Sequence, residues 1–394
     1  MTTFVIVGGG LAGAKGAEAL RDQGFDGDIV LLAEEANRPY ERPPLSKDYL
    51  MGKAERESVF VHDKGWYADH DVDLRVGIAA TAIDRASHEV RLSDGTSVGY
   101  TKLLLATGSS PRQLPGAEDA LYLRRVEDSE RIKAAITVAK RLIVIGAGWI
   151  GLEVTAAART AGVEVTVLEA AELPLLAAIG PEVARVFADL HTANGVDLRF
   201  GVRVDQVTAG SVRLADGTVI DADAVVVGIG AAPNVSLAQD AGLDLDNGVL
   251  VDSALRTSDP DIFAAGDIAD QLHPLLGKRV RVEHWANALN QPAVAATGML
   301  GGDAAYEELP YFYTDQYDLG MEYVGDIRGY DRVLFRGDVP KREFIAFWLK
   351  DNRVLAGMNV NIWDVVDPIK ALIRSGHTVD PDRLADPGVP WDDL

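Results

Sequence analysis

Apolar residues lie along the chain in short runs that are separated by glycine turns and by segments with helical character. Residues 4–7 form the first run, which is short enough for a buried parallel strand. A glycine turn, a helical segment and a second apolar run at residues 29–32 follow it. This order predicts a β-α-β unit, the building block of a doubly wound sheet.

The same pattern recurs in a second half of the chain. A strand is predicted at residues 141–145, then a glycine turn, a helix over residues 150–161 and a strand at residues 164–168. Each half also contains a hairpin turn, at residues 93–96 and 215–218, and a later apolar strand, at residues 102–105 and 224–227. The repeated plan predicts two α/β units of similar fold.

From residue 311 onward, apolar and polar residues alternate instead. Segments at residues 321–324, 333–335, 344–349 and 354–359 predict an antiparallel sheet, with a closing helix at residues 368–374. Prolines and a glycine recur between Pro381 and Pro390, which predicts a surface arm. We therefore expect a discontinuous first domain (1–113 and 239–310), a second domain (114–238) and an α+β domain (311–394).

Composition narrows the possible functions. The net charge of −22 disfavours non-specific binding to nucleic acid or to anionic membranes, because both are negative. The chain has no cysteine, which excludes disulfides, thiolate metal sites and cysteine redox relays. No signal sequence precedes the first strand, and no run approaches the ~18 apolar residues of a membrane span. We expect a soluble, cytoplasmic protein.

Both glycine turns have the spacing G-x-G-x-x-G, which is typical of a cradle for a dinucleotide pyrophosphate. The first glycine permits a tight turn, the second lets the backbone approach the phosphates, and the third lets the helix pack on the strand. The helix N-terminus then faces the anion. The glycines are Gly8, Gly10 and Gly13 in the first cradle and Gly146, Gly148 and Gly151 in the second. Glu34 and Glu169 end the strands that follow, where a carboxylate can bind a ribose. Two cradles predict two dinucleotide sites.

A proline-containing loop follows Glu34. Because Pro39, Pro43 and Pro44 bar an immediate helix, we expect an extended loop here. Ser46 is placed to cap a helix that begins near Lys47. Arg42 and Lys47, the basic residues of this loop, are either binding residues or a solvated pair, and both interpretations remain open at this point.

Several motifs together resemble the FAD-dependent ferredoxin reductases. They lie at residues 8–13 (GGGLAG), 41–47 (ERPPLSK), 106–109 (ATGS), 145–153 (IGAGWIGLE) and 264–267 (AAGD). The resemblance implies FAD in the first cradle, NAD(H) in the second and a C-terminal domain that closes over the flavin. The implied fold is α/β, with two Rossmann-like domains arranged as in glutathione reductase but without redox cysteines, plus the α+β C-terminal domain.

The resemblance also implies the residues at each site. The FAD site comprises Gly8, Gly10, Leu11, Ala12, Gly13, Glu34, Arg42, Lys47, Ala80, Ala106, Thr107, Gly108, Arg124, Gly266, Asp267, Glu283, His284 and Trp285. The NAD site comprises Gly146, Gly148, Trp149, Ile150, Gly151, Glu153, Glu169, Gly228, Ile229 and Gly230. The residues implied to be catalytic are Lys47, Glu153, Trp149 and Trp285.

Each catalytic residue has an implied role. Lys47 and Glu153 resemble the charge pair beside flavin N5 in this family. The peptide at Trp285 opens a helix whose dipole would favour negative charge on the flavin pyrimidine ring. Trp149 resembles an aromatic residue that covers the nicotinamide side of the flavin until the dinucleotide arrives. Plain packing of either tryptophan, a surface position for Glu153 and helix capping by Asp267 are the alternatives.

The implied electron path leads out of the protein. With no cysteine, the family mechanism implies transfer from NADH to flavin and then, one electron at a time, to a two-iron ferredoxin that serves a cytochrome P450 or a Rieske-type oxygenase. Glu169 should repel a 2′-phosphate and so favour NADH over NADPH. Because an acidic ferredoxin needs local basic residues, candidate docking residues are Lys278, Arg279 and Arg281, with Arg328, Arg332, Arg336, Lys341 and Arg342 in the last domain. A solvated face is the alternative for them. We expect a monomer or weak homodimer.

Two other functions remain open. Residues 311–319 also resemble apoptosis-inducing-factor-like proteins, which bind NADH and act through partners. An NADH-dependent reductase of small quinones, of monodehydroascorbate or of rubredoxin would share every cofactor residue. The rate of flavin reduction and the response to an added ferredoxin distinguish these functions.

Overall fold

The structure is a computed structural model that describes residues 2–208 and 210–394. Its strands are β1 (Thr3–Val7), β2 (Asp28–Ala33), β3 (Val72–Val76), β4 (Ala80–Asp84), β5 (Glu89–Leu92), β6 (Ser97–Gly99), β7 (Lys102–Leu105), β8 (Ser109–Pro111), β9 (Leu121–Tyr122), β10 (Arg141–Ile145), β11 (Glu164–Leu168), β12 (Asp197–Arg199), β13 (Val204–Thr208), β14 (Ser211–Leu214), β15 (Val219–Asp221), β16 (Ala224–Val227), β17 (Ala231–Pro233), β18 (Val249–Val251), β19 (Ile262–Ala264), β20 (Ala269–His273), β21 (Lys278–Val280), β22 (Tyr311–Gln316), β23 (Leu319–Gly325), β24 (Arg332–Asp338), β25 (Glu343–Lys350) and β26 (Arg353–Val360). Its α-helices are α1 (Leu11–Asp22), α2 (Trp66–Asp69), α3 (Val126–Val138), α4 (Trp149–Thr160), α5 (Leu176–Ala193), α6 (Ser236–Asp240), α7 (Trp285–Met299), α8 (Val366–Ser375) and α9 (Pro381–Ala385). Short 3-10 helices lie at Pro43–Ser46, Arg56–Val59, Gly266–Ile268 and Trp391–Asp393.

The chain divides into two compact units. Unit 1 comprises Met1–Glu41, Arg56–Ser110 and Ala232–Pro310, and unit 2 comprises Arg42–Glu55, Pro111–Ala231 and Tyr311–Leu394. The loop that carries Lys47 therefore belongs to unit 2, although it follows β2 in sequence. The separation of residues 114–238 from residues 311–394 as two domains stays a prediction.

Unit 1 is built on a parallel sheet with the strand order β19-β7-β1-β2-β3. Val5, Ile6, Leu104 and Phe263 on its strands are fully buried, as expected for a parallel sheet covered on both faces. Helices α1 and α7 pack against each other, and α1 contacts β1. The antiparallel sheet β4-β5-β6 contains the first predicted hairpin.

Unit 2 repeats this plan with the parallel order β12-β11-β10-β16-β9 and the antiparallel sheet β13-β14-β15. It adds an antiparallel sheet with the order β22-β23-β26-β25-β24. Strands β23 to β26 lie over the four predicted alternating segments, whereas β22 was not predicted. Helix α4 contacts β10 and β11 on one side and β22 on another. The predicted fold class, two Rossmann-like sheets with an α+β C-terminal region, is confirmed.

One local expectation is wrong. No α-helix begins near Lys47: a 3-10 helix spans Pro43–Ser46, and Lys47 follows it with φ −119° and ψ −119°, outside the helical region. The reason is that prolines have the φ of a first helical turn, so the turn starts at Pro43 rather than after Ser46.

The predicted surface arm, residues 381–394, is mostly exposed or half-buried, and it is held against the sheet. The guanidinium of Arg336 on β24 donates to the backbone carbonyls of Leu384, Asp386, Pro387 and Val389. It also lies 5.2 Å from the centre of the Trp391 ring, which packs near Phe347. Because Arg336 is buried in these contacts, it holds the tail against the sheet.

Candidate functional site

The first cradle follows β1, where the turn requires glycine. Gly8 has φ +128°, and a Cβ atom there would lie 2.0 Å from the carbonyl oxygen of Ala106 at the end of the neighbouring strand β7. A Cβ on Gly13 would lie 1.9 Å from the oxygen of Gly8, so helix α1 sits directly on the turn. Gly10 caps α1 and has open space within 4 Å of its Cβ position.

The second cradle has the same design. Gly146 has φ +99°, and a Cβ there would lie 2.4 Å from the oxygen of Gly228, which follows β16. A Cβ on Gly151 would lie 2.2 Å from the oxygen of Gly146. Gly148 caps α4, and the nearest atom to its Cβ position is the oxygen of Gly228 at 3.8 Å.

These contacts test whether each cradle fits a dinucleotide. The first and third glycines are required by the protein's own backbone, whereas the second glycine of each cradle faces free space at a helix start. A bare backbone at a helix N-terminus is the surface that a pyrophosphate needs. Both cradles therefore fit the expected cofactor class.

The acidic residues after the cradles differ. Glu34 follows β2 and is exposed. Glu169 follows β11 and is half-buried, with one carboxylate oxygen accepting from the backbone N–H of Ala147 at 2.7 Å and the other from that of Ala171 at 2.8 Å. Glu169 thus fixes the second glycine turn to the strand that follows it.

Small and polar residues surround the carboxyl end of β7 in unit 1. The Thr107 hydroxyl donates to the backbone oxygen of Asn234 at 2.8 Å, and the Asn234 side chain returns a bond to the Thr107 oxygen at 2.9 Å. Gly108 has φ +68°, and its oxygen accepts from the Asn234 N–H. This exchange keeps residues 106–108 in a narrow turn beside β7.

Asp267 lies in the 3-10 helix Gly266–Ile268 and accepts a hydrogen bond from the Ser109 hydroxyl at 2.6 Å. The N–H of Gly266 donates to the Gln291 side chain at 2.8 Å, which anchors this turn to α7. A Cβ on Gly266 would lie 3.2 Å from that of Ala12, so the turn also lies beside the start of α1.

Trp285 is the first residue of α7, as predicted, and His284 caps the helix. The indole N–H of Trp285 donates to the Glu41 carboxylate at 3.1 Å. Glu283 pairs with Arg281 at 2.8 Å. Burial lowers the pKa of His284 to about 4, with the charge of Asp267 acting in the opposite direction. A neutral imidazole therefore precedes the helix at neutral pH.

In unit 2, the structure brings Lys47 and Glu153 together. The lysine ammonium lies 2.7 Å from a Glu153 oxygen, and the carboxylate is only 5% exposed. Ser46 donates to the other oxygen, and Thr314 donates to the first at 2.5 Å. Glu153 is therefore not a helix-surface charge, because its carboxylate is buried and fully engaged.

Trp149 lies half-buried at the first position of α4. Its ring packs edge-on against Phe187 at 5.4 Å and meets Phe312 at 4.8 Å. Trp149 and Glu153 are one helical turn apart, so they lie on the same face of α4. This face carries both catalytic candidates that the helix contributes.

The remaining predicted site residues are divided between the two units. Arg42 donates to the backbone oxygen of Arg124, whose N–H donates to Asp128 at 3.0 Å. In unit 1, Ala80 begins β4, Leu11 and Ala12 begin α1, and Ala106 is buried after β7. In unit 2, Ile150 and Ile229 are exposed, and Gly230 accepts from the N–H of Arg112. Their contacts with a cofactor stay predictions.

Sequence reasoning missed the residues that hold this machinery in place: Ser46 and Thr314 beside Glu153, and Ser109 beside Asp267. No local pattern indicated Thr314, because residues 311–316 (YFYTDQ) do not alternate between apolar and polar residues. Ser46 ends the 3-10 helix Pro43–Ser46 and Ser109 begins β8, and no local pattern indicates the tertiary neighbours of either residue.

The basic residues proposed for docking have different surroundings. The guanidinium of Arg279 donates to the backbone oxygen of Asp270 at 2.8 Å, and that of Arg281 to the oxygen of Asp267 at 3.0 Å. Lys341 has a side chain that is 72% exposed and pairs at the surface with Asp338 at 3.0 Å, and Arg332 is exposed on β24. Within residues 2–208 and 210–394, none of the helices has both the length and the apolar character to cross a membrane.

Comparison with known proteins adds the following. Residues 2–291 match the family model described as pyridine nucleotide-disulphide oxidoreductase, and residues 311–394 match the model described as reductase C-terminal. The chain is 43% identical to the anthranilate 1,2-dioxygenase system ferredoxin–NAD(+) reductase component of Burkholderia cepacia, over 98% of this chain and 97% of that one. It is 40% identical to putidaredoxin reductase of Pseudomonas putida, over 99% of this chain and 96% of that one.

Two solved structures are similar over the full length. The covalent putidaredoxin reductase–putidaredoxin complex gives a TM-score of 0.95 at 40% identity, covering 99% of this chain and 97% of that chain. The ferredoxin reductase for the CYP199A2 system from Rhodopseudomonas palustris gives a TM-score of 0.96 at 35% identity, covering 100% and 99%.

Proposed function

Since the chain belongs to the pyridine nucleotide-disulphide oxidoreductase family, with a reductase C-terminal domain, we propose that it passes electrons from NADH through FAD to a ferredoxin. Relatives along its whole length are named as ferredoxin–NAD(+) reductases. It is an FAD-dependent oxidoreductase that uses NADH. When bound, the flavin takes up two electrons from NADH and releases them one at a time.

The observation that carries this proposal is the combination of two intact cradles with a chain that has no cysteine. Two cradles supply sites for FAD and NAD(H), the donor and the relay. With no thiol to receive electrons, the reducing equivalents leave through an acceptor outside the chain. A one-electron carrier is the acceptor that the relatives' names indicate.

The chain's own residues would bind and orient the two dinucleotides and set the electrostatic surroundings of the flavin. The backbones at Gly10 and Gly148 would hold the two pyrophosphates. The start of α7 at Trp285 would place a helix dipole where it favours negative charge on the flavin ring. The buried Lys47–Glu153 pair would supply a fixed cation and anion to the active site.

We place the ferredoxin on exposed cations of residues 311–394. Arg332 and Lys341 are exposed, and an acidic partner would be steered by them at low ionic strength. Arg279, Arg281 and Arg336 are committed to backbone carbonyls, so their reversal would damage the fold before it affected docking. Lys278, in unit 1, stays a separate candidate for ferredoxin docking.

The test is stopped-flow absorbance in two mixing steps. The yellow holoprotein is mixed first with NADH and then with an oxidised two-iron ferredoxin, and both steps are expected to be fast. Slow reduction, or a reduced complex that is indifferent to the ferredoxin, would instead favour the partner-mediated function of the apoptosis-inducing-factor-like proteins. Fast transfer to quinone or rubredoxin alone would favour a small-acceptor reductase.

The docking surface is tested separately. The double variant Arg332→Glu/Lys341→Glu is expected to raise KM for the ferredoxin about tenfold, with ferricyanide reduction unchanged. Arg91→Glu is the matched control, because that exposed arginine lies on β5 in unit 1. An equal rise in KM for both variants, or a loss of ferricyanide reduction, contradicts docking on this surface.

A further inference from the structure

Three elements of unit 2 meet along matched faces. Strand β22 directs alternate residues to one face, and these are Phe312, Thr314 and Gln316. Helix α4 offers Trp149 and Glu153, and helix α5 offers Phe187 and His191, each pair spaced by one helical turn. Residues two positions apart on the strand therefore lie opposite residues four positions apart on each helix.

At the Trp149 end of this contact the side chains are aromatic, and further along the strand and the helices they are polar. Phe312 and Phe187 hold the ring of Trp149. Thr314 donates to Glu153 at 2.5 Å, and the Gln316 amide nitrogen lies 3.3 Å from the Thr314 oxygen. The Gln316 oxygen lies 2.8 Å from Nε2 of His191.

The hydrogen bonds continue to Tyr317, whose hydroxyl lies 3.3 Å from Nδ1 of His191. We call the four residues Tyr317, His191, Gln316 and Thr314 the polar chain. It ends on the carboxylate that pairs with Lys47.

The carboxylate determines the direction of every bond. Glu153, paired with an ammonium, can only accept, so Thr314 must donate to it and has only its oxygen left for Gln316. Gln316 therefore presents its amide nitrogen to Thr314 and its oxygen to His191.

The same reasoning assigns the protons of the imidazole. Nε2 of His191 must carry the proton that the Gln316 oxygen accepts. Nδ1 then accepts from the hydroxyl of Tyr317. All four residues consequently donate toward Glu153, an arrangement in which each bond polarises the next.

Burial makes this arrangement costly to break. His191 is 0% exposed, and Thr314 and Gln316 are each 1% exposed. A buried polar group that loses its partner has no water to replace it. Burial also lowers the pKa of His191 to about 4, so the ring is neutral at neutral pH.

We propose that the polar chain is a positioning device, which holds the Glu153 carboxylate, and through it the Lys47 ammonium, in one orientation. The arrangement of the bonds stands on the geometry of unit 2 alone, whereas its consequence for flavin reduction rests on the proposed function. Trp149 and Glu153 share the support of β22, which contacts them through Phe312 and Thr314, and α5 contacts Trp149 through Phe187.

The first experiment determines the tautomer of His191 in the holoprotein by nitrogen-15 NMR of labelled histidine. The expected result is the Nε2–H tautomer, neutral at pH 7, with an Nε2–H signal that shifts in Glu153→Gln. Glu164→Gln, at an exposed glutamate of β11, is the matched control and should leave this signal in place. An Nδ1–H tautomer, a charged ring or an unmoved signal in Glu153→Gln overturns the proposal, whatever the acceptor of the enzyme proves to be.

The second experiment compares Thr314→Val, which removes the donor at nearly constant volume, with Thr314→Ser, which keeps it. Thr314→Val should slow the rate constant of flavin reduction by NADH about tenfold, which corresponds to about 1.4 kcal/mol, and leave flavin content and the Kd for NADH unchanged. Thr314→Ser should restore the rate. If the two variants had the same rate constant of flavin reduction, whether normal or equally lowered, the hydroxyl would only fill space, which would contradict positioning.

Discussion

The two cradles share a spacing and the backbone contacts of their first and third glycines, but the acidic residues that follow them differ. In each cradle, a Cβ atom on the first glycine would overlap a backbone oxygen, that of Ala106 in unit 1 and that of Gly228 in unit 2. The acidic residues differ more: Glu34 is exposed, whereas Glu169 accepts two backbone N–H groups and ties its turn to β11. One motif therefore specifies the turn in both places, while the surroundings of the acidic residue that we propose to bind the ribose depend on each unit's own packing.

The largest expected effect comes from filling the first position of either cradle. Gly8→Ala would place a Cβ 2.0 Å from the Ala106 oxygen at φ +128°, and Gly146→Ala would place one 2.4 Å from the Gly228 oxygen at φ +99°. Because backbone must move and the φ is strained, each should lower the free energy of unfolding by about 3–5 kcal/mol. Urea unfolding measures the loss.

The control for that experiment separates strain from overlap. Gly95 has φ +86° but nothing within 4 Å of its Cβ position, so Gly95→Ala should cost only the strain, about 1 kcal/mol. If Gly8→Ala were as stable as Gly95→Ala, the close approach of β1 and β7 at this turn would not be a constraint.

A more selective effect is expected at the second position. Gly10→Ala meets nothing within 4 Å and Gly148→Ala meets only an oxygen at 3.8 Å, so both variants should fold as well as the parent. A methyl group would nevertheless occupy the surface left for the pyrophosphate, and a loss of about 100-fold in affinity, or about 3 kcal/mol, is expected. Flavin absorbance and titration calorimetry with NAD+ measure the two sites.

The comparison predicts opposite phenotypes for these variants. Gly10→Ala should be purified with little flavin, whereas Gly148→Ala should be yellow but bind NAD+ weakly. Full flavin content in Gly10→Ala would mean that the first cradle does not hold the FAD pyrophosphate. Loss of flavin from both variants would contradict the assignment of one cofactor to each cradle.

Much of this fold follows from the sequence, because apolar runs and glycine turns are local signals. The strand predicted at residues 141–145 is β10, and the helix predicted over residues 150–161 is α4, which begins and ends one residue earlier. The start of α7 at Trp285 was also expected, and His284 before it has the extended conformation of a helix cap.

What the sequence did not predict depends on contacts between distant segments. The partners of Glu153 come from a proline loop and from β22, more than a hundred residues away in either direction. Thr314 and Gln316 lie in a run, YFYTDQ, that does not alternate and for which no strand was predicted, and their alignment with His191 on α5 depends on the packing of unit 2. The wrong helix at Lys47 had a local cause, since Pro43 and Pro44 can begin a helical turn as well as prevent one.

The smallest expected effect tests the acidic residues themselves. Glu169→Gln keeps the size of the side chain and removes the charge that would repel a 2′-phosphate, and it leaves one of the two N–H groups at Ala147 and Ala171 without its acceptor. The ratio of kcat/KM for NADH to that for NADPH should fall about tenfold, a change of about 1.4 kcal/mol, with flavin content unchanged. Glu34→Gln should do the reverse, weakening flavin retention and leaving the NADH preference intact. If the parent enzyme preferred NADPH, or if Glu34→Gln changed the nicotinamide preference, the two acidic residues would not read separate dinucleotides, and the difference between the cradles would be one of packing alone.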